Sequence, residues 1–289
     1  MSRSPLPSIL CLHGSGTSAA IFEVQTARVR RELQNRFSFV FLDAPFETNP
    51  GPGVLPVFAD AAPYFTWLDP SASSPPPRSL DRRDGAGGDE DGSLLSTRDN
   101  ARRRVHTKLM PPRTAELLEK TIREQIKRDG RGFAGVMGFS MGGRLAAGLL
   151  LDQQLRLLEQ QQTNGHGNEN STSGDHLSSA VDRDELFKFA VFICGTSPPI
   201  TRLHDLLDHE NVDGKGDKIT LPQIDIPTLH ILGLQDPWFR QGELLATTHC
   251  TPDKRTIHRL DMGHHLPTQK QDNMLLVEGI LEMAKQVGV

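Results

Sequence analysis

The chain has 289 residues, a formal net charge of −4 and an isoelectric point near 6.3, which leaves no basic surface for nucleic acid or an anionic membrane. Its three cysteines, Cys11, Cys194 and Cys250, are too few and too scattered for a disulfide framework or a zinc cluster. The N-terminal apolar run is too short for a secretion signal and nothing approaches a membrane span of about 20 residues, so a soluble cytoplasmic protein is expected.

In chain order, SILCLH (8–13) reads as a short, continuously apolar strand. Residues 19–33 form a helix with Phe22, Thr26, Val29 and Leu33 on one face, and FSFVFLDA (37–44) is a second strand. VFADAAPYFTWLD (57–69) concentrates Phe58, Tyr64, Phe65 and Trp67, which either line an acyl pocket or pack under the loop. A helix over 114–128 aligns Leu118, Ile122 and Ile126 behind Pro111 and Pro112. GFAGVMGF (132–139) is a strand, and Met141 to about Leu155 a helix. KFAVFICG (188–195), PTLHILG (227–233) and RTIHRLD (255–261) are strands, with helices near 240–248 and 270–286.

Three stretches, 70–105, 156–182 and 204–220, are rich in Gly, Pro, Ser, Asn, Gln or mixed charge and read as flexible polar insertions at the surface. Without them, apolar strands alternate with amphipathic helices. The expected fold is therefore α/β, a mostly parallel sheet with helices on both faces in a single domain over 1–289.

In such sheets chemistry collects beyond the carboxyl ends of the strands, which here carry His13-Gly14-Ser15, Asp43, Ser140, Asp236 and His264. The first loop has two readings. Gly14, Gly16 and Ala19 between a strand and a helix, with Asp43 ending the next strand, outline a dinucleotide-binding fingerprint. His13 would crowd the pyrophosphate turn, however, and this reading leaves Ser140, Asp236 and His264 unexplained. The other reading is an oxyanion device. One donor of a G-x-S-x-G hydrolase is the N–H after the nucleophile, here Met141. The second comes from the loop after an early strand, with Ser15 the natural choice and Gly16 behind it.

GVMGFSMGGR (135–144) places Ser140 between glycines where a strand gives way to a helix, as a nucleophile elbow requires. A serine hydroxyl needs a base to take its proton. MGHHLP supplies His264 in a loop after the last strand, with His265 an open alternative, while His258 falls inside the strand itself. The adjacent histidines also raise a metal site, but neighbours face apart and no H-x-x-x-H spacing is present. Asp236, at a strand end between serine and histidine, fits the acid that orients the imidazole. Asp225 precedes its strand and Asp261 lies too near His264 in sequence. Trp238, just after Asp236, is a further candidate for the substrate pocket. No cofactor or metal is expected.

Together, ILCLHGSGTSAAIFEVQTARVRREL, FVFLDAPF, YFTWLD, GVMGFSMGGRLAAGLL, LHILGLQDPW and MGHHLP resemble the fungal serine hydrolase family, also called FSH or ovarian-cancer-gene-2-like hydrolases. The resemblance spans about residues 8–285 apart from the insertions. It implies a compact α/β-hydrolase with its triad on Ser140, Asp236 and His264. The HGSGTSAAIF opening is similar to members from fungal secondary-metabolite clusters. That implies a thioesterase releasing a polyketide chain from the acyl carrier domain of an iterative synthase. The 70–105 insertion falls where a lid or pocket wall would stand. A general carboxylesterase for small esters and a hydrolase-fold binding protein with an idle site are the alternative expectations.

Overall fold

A computed structural model describes residues 5–73, 108–164, 187–202 and 222–289. Of the three expected insertions, 204–220 lies wholly outside the described residues, as do 74–105 and 165–182 of the other two.

The first half of the chain forms β1 (Ser8–Leu12), α1 (Ala19–Gln25), α2 (Ala27–Leu33), β2 (Ser38–Leu42), β3 (Phe46–Thr48), β4 (Tyr64–Thr66), β5 (Lys108–Leu109) and α3 (Pro112–Asp129). The second half adds β6 (Gly135–Phe139), α4 (Met141–Asn164), β7 (Phe189–Ile193), β8 (Ile200–Thr201), β9 (Thr228–Gly233), α5 (Phe239–His249), β10 (Arg255–Leu260) and α6 (Lys270–Gln286). Six strands pair in parallel in the order β10-β9-β7-β6-β1-β2.

Successive side chains of a strand point to opposite faces, and both faces of this sheet are covered. Ile9, Cys11, Met137, Phe139, Phe189 and Val191 join one core with Phe22, Val29 and Leu33 of α1 and α2 and Leu276 and Ile280 of α6. Leu10, Leu12, Val136, Ala190 and Phe192 join the other with Leu118 of α3, Leu145 and Leu150 of α4 and Leu245 of α5. The α/β arrangement expected from the alternating pattern, a parallel sheet with helices on both faces, is therefore present, and it accords with the compact α/β-hydrolase that the family resemblance implies. Among the described residues, no helix is long and apolar enough to cross a membrane.

Three local features depart from the sequence reading. The helix expected over 19–33 is broken at Thr26, whose hydroxyl donates to Phe22 O at 2.8 Å. Such back-bonding to the preceding turn bends helices, yet Phe22, Thr26, Val29 and Leu33 still face the core as a set. The helix expected to end near 155 continues to Asn164, nine residues into a stretch read as insertion. Finally, β3 and β4 form a small antiparallel pair, with Phe46 opposite Thr66, that the pattern did not reveal.

The chain order fixes where a site can form. From β1 it moves outward to β2, and from β6 it moves the other way through β7, β9 and β10. The switch point lies between β1 and β6, so the loops after these two strands diverge and leave a crevice at their carboxyl ends.

Candidate active site

Ser140 follows β6 directly, with φ of 51°, in the left-handed region that side chains rarely adopt. Its N–H donates to Ile193 O of β7 at 3.0 Å, and its carbonyl accepts from Gly143 N–H at 3.0 Å, the first turn of α4. The turn is tight enough to demand glycine on both sides. A Cβ on Gly138 would sit 2.4 Å from Gly142 O, and one on Gly142 would sit 2.0 Å from Leu12 O. The flanking glycines thus let the loops after β1 and β6 touch.

His264 lies in the loop after β10 and reaches both partners. Its Nε2 is 2.8 Å from Ser140 Oγ and its Nδ1 is 2.7 Å from Asp236 Oδ2. A carboxylate only accepts, so Nδ1 carries the ring proton and Nε2 is free to accept from the Ser140 hydroxyl. Asp236 follows β9, and its other oxygen, Oδ1, accepts the Trp238 N–H at 2.8 Å. The Trp238 ring stands edge-on to His264 with centroids 4.5 Å apart, and Phe139 flanks the imidazole at 5.2 Å. His265 turns away and bonds locally to Leu266 O and the Gly263 N–H. Of the two adjacent histidines, His264 is therefore the one against Ser140. His258 sits within β10, opposite Ile231.

Beneath this group lies Cys194, at the end of β7 with φ of 47°. Its Sγ, an Asp236 oxygen and a His264 nitrogen lie within 4.8 Å of one another. Burial, reinforced by the Asp236 carboxylate, holds the thiol well above its ordinary pKa. It is a neutral packing group that contacts the Gly263 and His265 carbonyls at 3.9 and 3.7 Å.

The loop after β1 closes the crevice. Gly16 N–H donates to Phe65 O at 2.9 Å, so it is already used. Among the described residues the Ser15 and Met141 N–H groups have no protein acceptor; Met141 opens α4, where N–H groups lack an intrahelical carbonyl. Ser15 is held by its side chain, with Oγ donating to Thr66 Oγ1 at 3.0 Å, and Thr66 in turn contacts Met141 Sδ at 3.5 Å.

The glycine spacing that outlined a dinucleotide fingerprint is consumed within the protein. A Cβ on Gly16 would lie 2.1 Å from Gly51 N, so the chain itself fills the space beside that glycine. Asp43 accepts the Ala19 N–H at 2.7 Å and caps α1.

His13 has a role that sequence reading did not supply. It is fully buried, with Nδ1 2.7 Å from Gly14 O and Nε2 accepting the Ala44 N–H at 3.0 Å, so it ties the loop after β1 to the loop after β2. Burial lowers its pKa to about 4, which keeps it neutral and able to accept. Only long-range contacts define this role, so no local motif could announce it.

The candidate pocket residues divide. Trp67 is fully buried and donates its indole N–H to His13 O at 2.8 Å, so its ring packs under the loop and is closed to a ligand. Tyr64 is buried too, its hydroxyl donated to Phe58 O at 2.6 Å. These two are corrections to the pocket reading. Phe65 is half-buried against the core, and Trp238 is 39% exposed beside His264.

The sequence profile of the family described as Serine hydrolase (FSH1) matches residues 1–275. The chain is 30% identical to Thioesterase FSL2 of Gibberella zeae over 96% of its own length and 92% of that protein. It is 32% identical to Esterase FUS5 of Gibberella moniliformis over 91% of its length and 80% of that protein. A crystal structure of a carboxylesterase from Mesorhizobium loti aligns over 95% of this chain and 88% of that one, with a TM-score of 0.44 and 14% identity.

Proposed function

The chain belongs to the Serine hydrolase (FSH1) family and acts on ester bonds; from that premise we propose that it cleaves a thioester or ester through an acyl-serine intermediate on Ser140. The observation carrying this reading is the 2.8 Å contact between Ser140 Oγ and His264 Nε2, with Asp236 behind the imidazole.

In the proposed acylation, Ser140 Oγ attacks the substrate carbonyl while His264 Nε2 takes the hydroxyl proton. The Ser15 and Met141 N–H groups hold the negative charge that develops on the carbonyl oxygen, each contributing about 3–4 kcal/mol to the transition state. The C–S or C–O bond then breaks, and His264 hands its proton to the departing thiolate or alkoxide. In deacylation, water attacks the acyl carbon while His264 takes one of its protons; the bond from that carbon to Ser140 Oγ then breaks, and His264 returns the proton to Oγ as the acid leaves. Asp236 stabilises the imidazolium in both halves. Trp238 and Phe65 border the acyl group.

We further propose that the natural substrate is a polyketide-type acyl chain carried as a thioester on a carrier protein. Similarity to Thioesterase FSL2 supports a thioester substrate, beside the similarity to Esterase FUS5 that supports an ester. Three free, buried cysteines support a cytoplasmic setting. Intact-mass analysis after mixing with carrier-bound acyl thioesters and with small esters tests the proposal. It expects an acyl adduct that is absent in Ser140→Ala, with acid release faster from the carrier. An adduct only from small esters would overturn the carrier assignment, and failure of a fluorophosphonate to label Ser140 would overturn the mechanism.

A further inference from the structure

Arg144 stands four residues after Ser140, about 6 Å further along the axis of α4. It is half-buried, and its Nε donates to Pro198 O at 2.7 Å in the loop after β7. Among the described residues no carboxylate lies within ion-pair distance of its guanidinium, and nothing accepts from its two terminal nitrogens. Burial displaces its pKa downward, and among the described residues no acid acts in the other direction.

Other arginines of this protein are differently placed. Arg202, also bonded near α4, meets Glu119 and lies 4.0 Å from Asp152. Arg259 meets Glu243 at 3.0 Å, and Arg255 donates to three carbonyls around the end of α5. A guanidinium withdrawn from water normally has such compensation, because its five donors stay charged and lose hydration. Arg144 spends one donor on Pro198 and keeps its planar fork unspent.

Ser140 precedes the first turn of α4, where its carbonyl accepts the Arg144 N–H at 3.3 Å, and long helical side chains lean back toward that turn. The contact with Pro198 holds the guanidinium against the loop that leaves the carboxyl end of β7, the strand whose Ile193 carbonyl accepts the Ser140 N–H. We propose that Arg144 is a substrate-binding residue that receives a carboxylate on the acyl chain, a few bonds from the scissile carbonyl. The fork geometry suits a planar carboxylate bound through two parallel hydrogen bonds. The short separation from Ser140 favours this source of anion over the phosphate of a carrier's pantetheine arm, which lies an arm's length from the thioester. The inference rests on Ser140 being the acyl acceptor.

The test compares the p-nitrophenyl half-ester of glutaric acid, with its free carboxylate, and neutral p-nitrophenyl valerate, matched in length. Wild-type protein is expected to prefer the anionic ester in kcat/KM. Arg144→Gln should lower kcat/KM for that ester about tenfold or more, mainly through KM, and change valerate by less than about twofold. Arg144→Lys should recover part of the loss. Equal losses on both esters would make Arg144 a structural clamp on Pro198 and overturn the proposal, as would no anionic preference in wild type. If Arg144→Gln instead impairs phosphopantetheine thioesters but not pantetheine ones, the carboxylate assignment is overturned. Binding of the half-ester to Ser140→Ala, read by thermal shift with and without Arg144→Gln, reports the subsite without turnover. An Arg144-dependent shift, with wild-type protein hydrolysing neither ester, would sink the hydrolase mechanism and leave the subsite standing.

Discussion

His264 is fixed from behind by Asp236, whose two carboxylate oxygens are divided between the imidazole at 2.7 Å and the Trp238 backbone N–H at 2.8 Å. The second bond sets the carboxylate's rotation and keeps Oδ2 turned toward His264. Replacing Asp236 by Asn keeps the shape but can present an NH2 donor to Nδ1, which favours the tautomer with the proton on Nε2. That tautomer cannot accept from Ser140. We expect Asp236→Asn to lower kcat about ten-thousand-fold with little change in folding, measured by ester hydrolysis beside circular dichroism. Activity within tenfold of wild type would mean Asp236 does not orient the base.

Ser140 occupies a conformation that favours glycine, at φ of 51°. Holding a side chain there costs about 1–3 kcal/mol, a cost tolerated because the strained turn lifts the hydroxyl toward His264. Ser140→Ala loses the nucleophile and keeps the strain, while Ser140→Gly loses both. Both variants should be inactive, and Ser140→Gly should be the more stable by about 1 kcal/mol in urea denaturation, after allowing for glycine's extra chain entropy. Ser140→Ala proving the more stable would show that the turn is relaxed.

The elbow and the loop after β1 are in backbone contact at Gly142. A Cβ there would lie 2.0 Å from Leu12 O and 2.6 Å from His13 O, and neither carbonyl can rotate aside without breaking β1 or the loop. Gly142→Ala should therefore destabilise the protein by about 4 kcal/mol or more, or prevent soluble expression. Gly263→Ala is the control, because its Cβ would meet only His265 side-chain atoms at 3.6 Å or more. Equal melting temperatures for the two variants would contradict the close approach.

The elements buried on both faces of the sheet were legible because they read as unbroken apolar runs, as in FAVFI of β7. Ser140 and Asp236 were legible as candidates because each follows such a run, and His264 because it sits in the loop after the last strand, RTIHRL, which is itself mixed and only partly buried. What escaped depends on contacts between distant residues. The β3–β4 pair has strands of three residues joined by a long loop, too short for any period to register. The polar end of α4 is carried by EQQQ, which has no apolar face to announce a helix. Tyr64 and Trp67 stand beside the site in sequence, but their polar atoms are claimed by Phe58 and His13, which composition cannot foretell. Arg144 was passed over, and His13 was noted without its role as a tie between loops, for the same reason: only the fold shows which of their partners are present.

Among the described residues three histidines are buried and held neutral, and together they make stability fall toward acid. Burial lowers His13 to about 4, His230 to about 3 with Arg255 adding to the effect, and His249 to about 4, against an ordinary value of 6.5. Protonating His13 would also destroy the acceptor for Ala44 N–H that ties two loops of the crevice together. In the unfolded chain these residues take up protons below about pH 6.5, while the folded chain resists until pH 4 or lower. The unfolded state thus binds more protons throughout that window, so their contribution to stability is complete above about pH 6.5 and is lost progressively toward pH 4 and 3. Each histidine contributes a loss of about 1.4 kcal/mol per pH unit once the unfolded form is fully protonated. Urea denaturation at pH 7.5, 6 and 5, above the range where most carboxylates titrate, should show stability falling with a slope that approaches three protons. His230→Gln should remove one proton from that slope. Stability that stays level from pH 7.5 to 5 would mean that these imidazoles reach water in the folded protein, and that His13 is not the dry tie it is here taken to be.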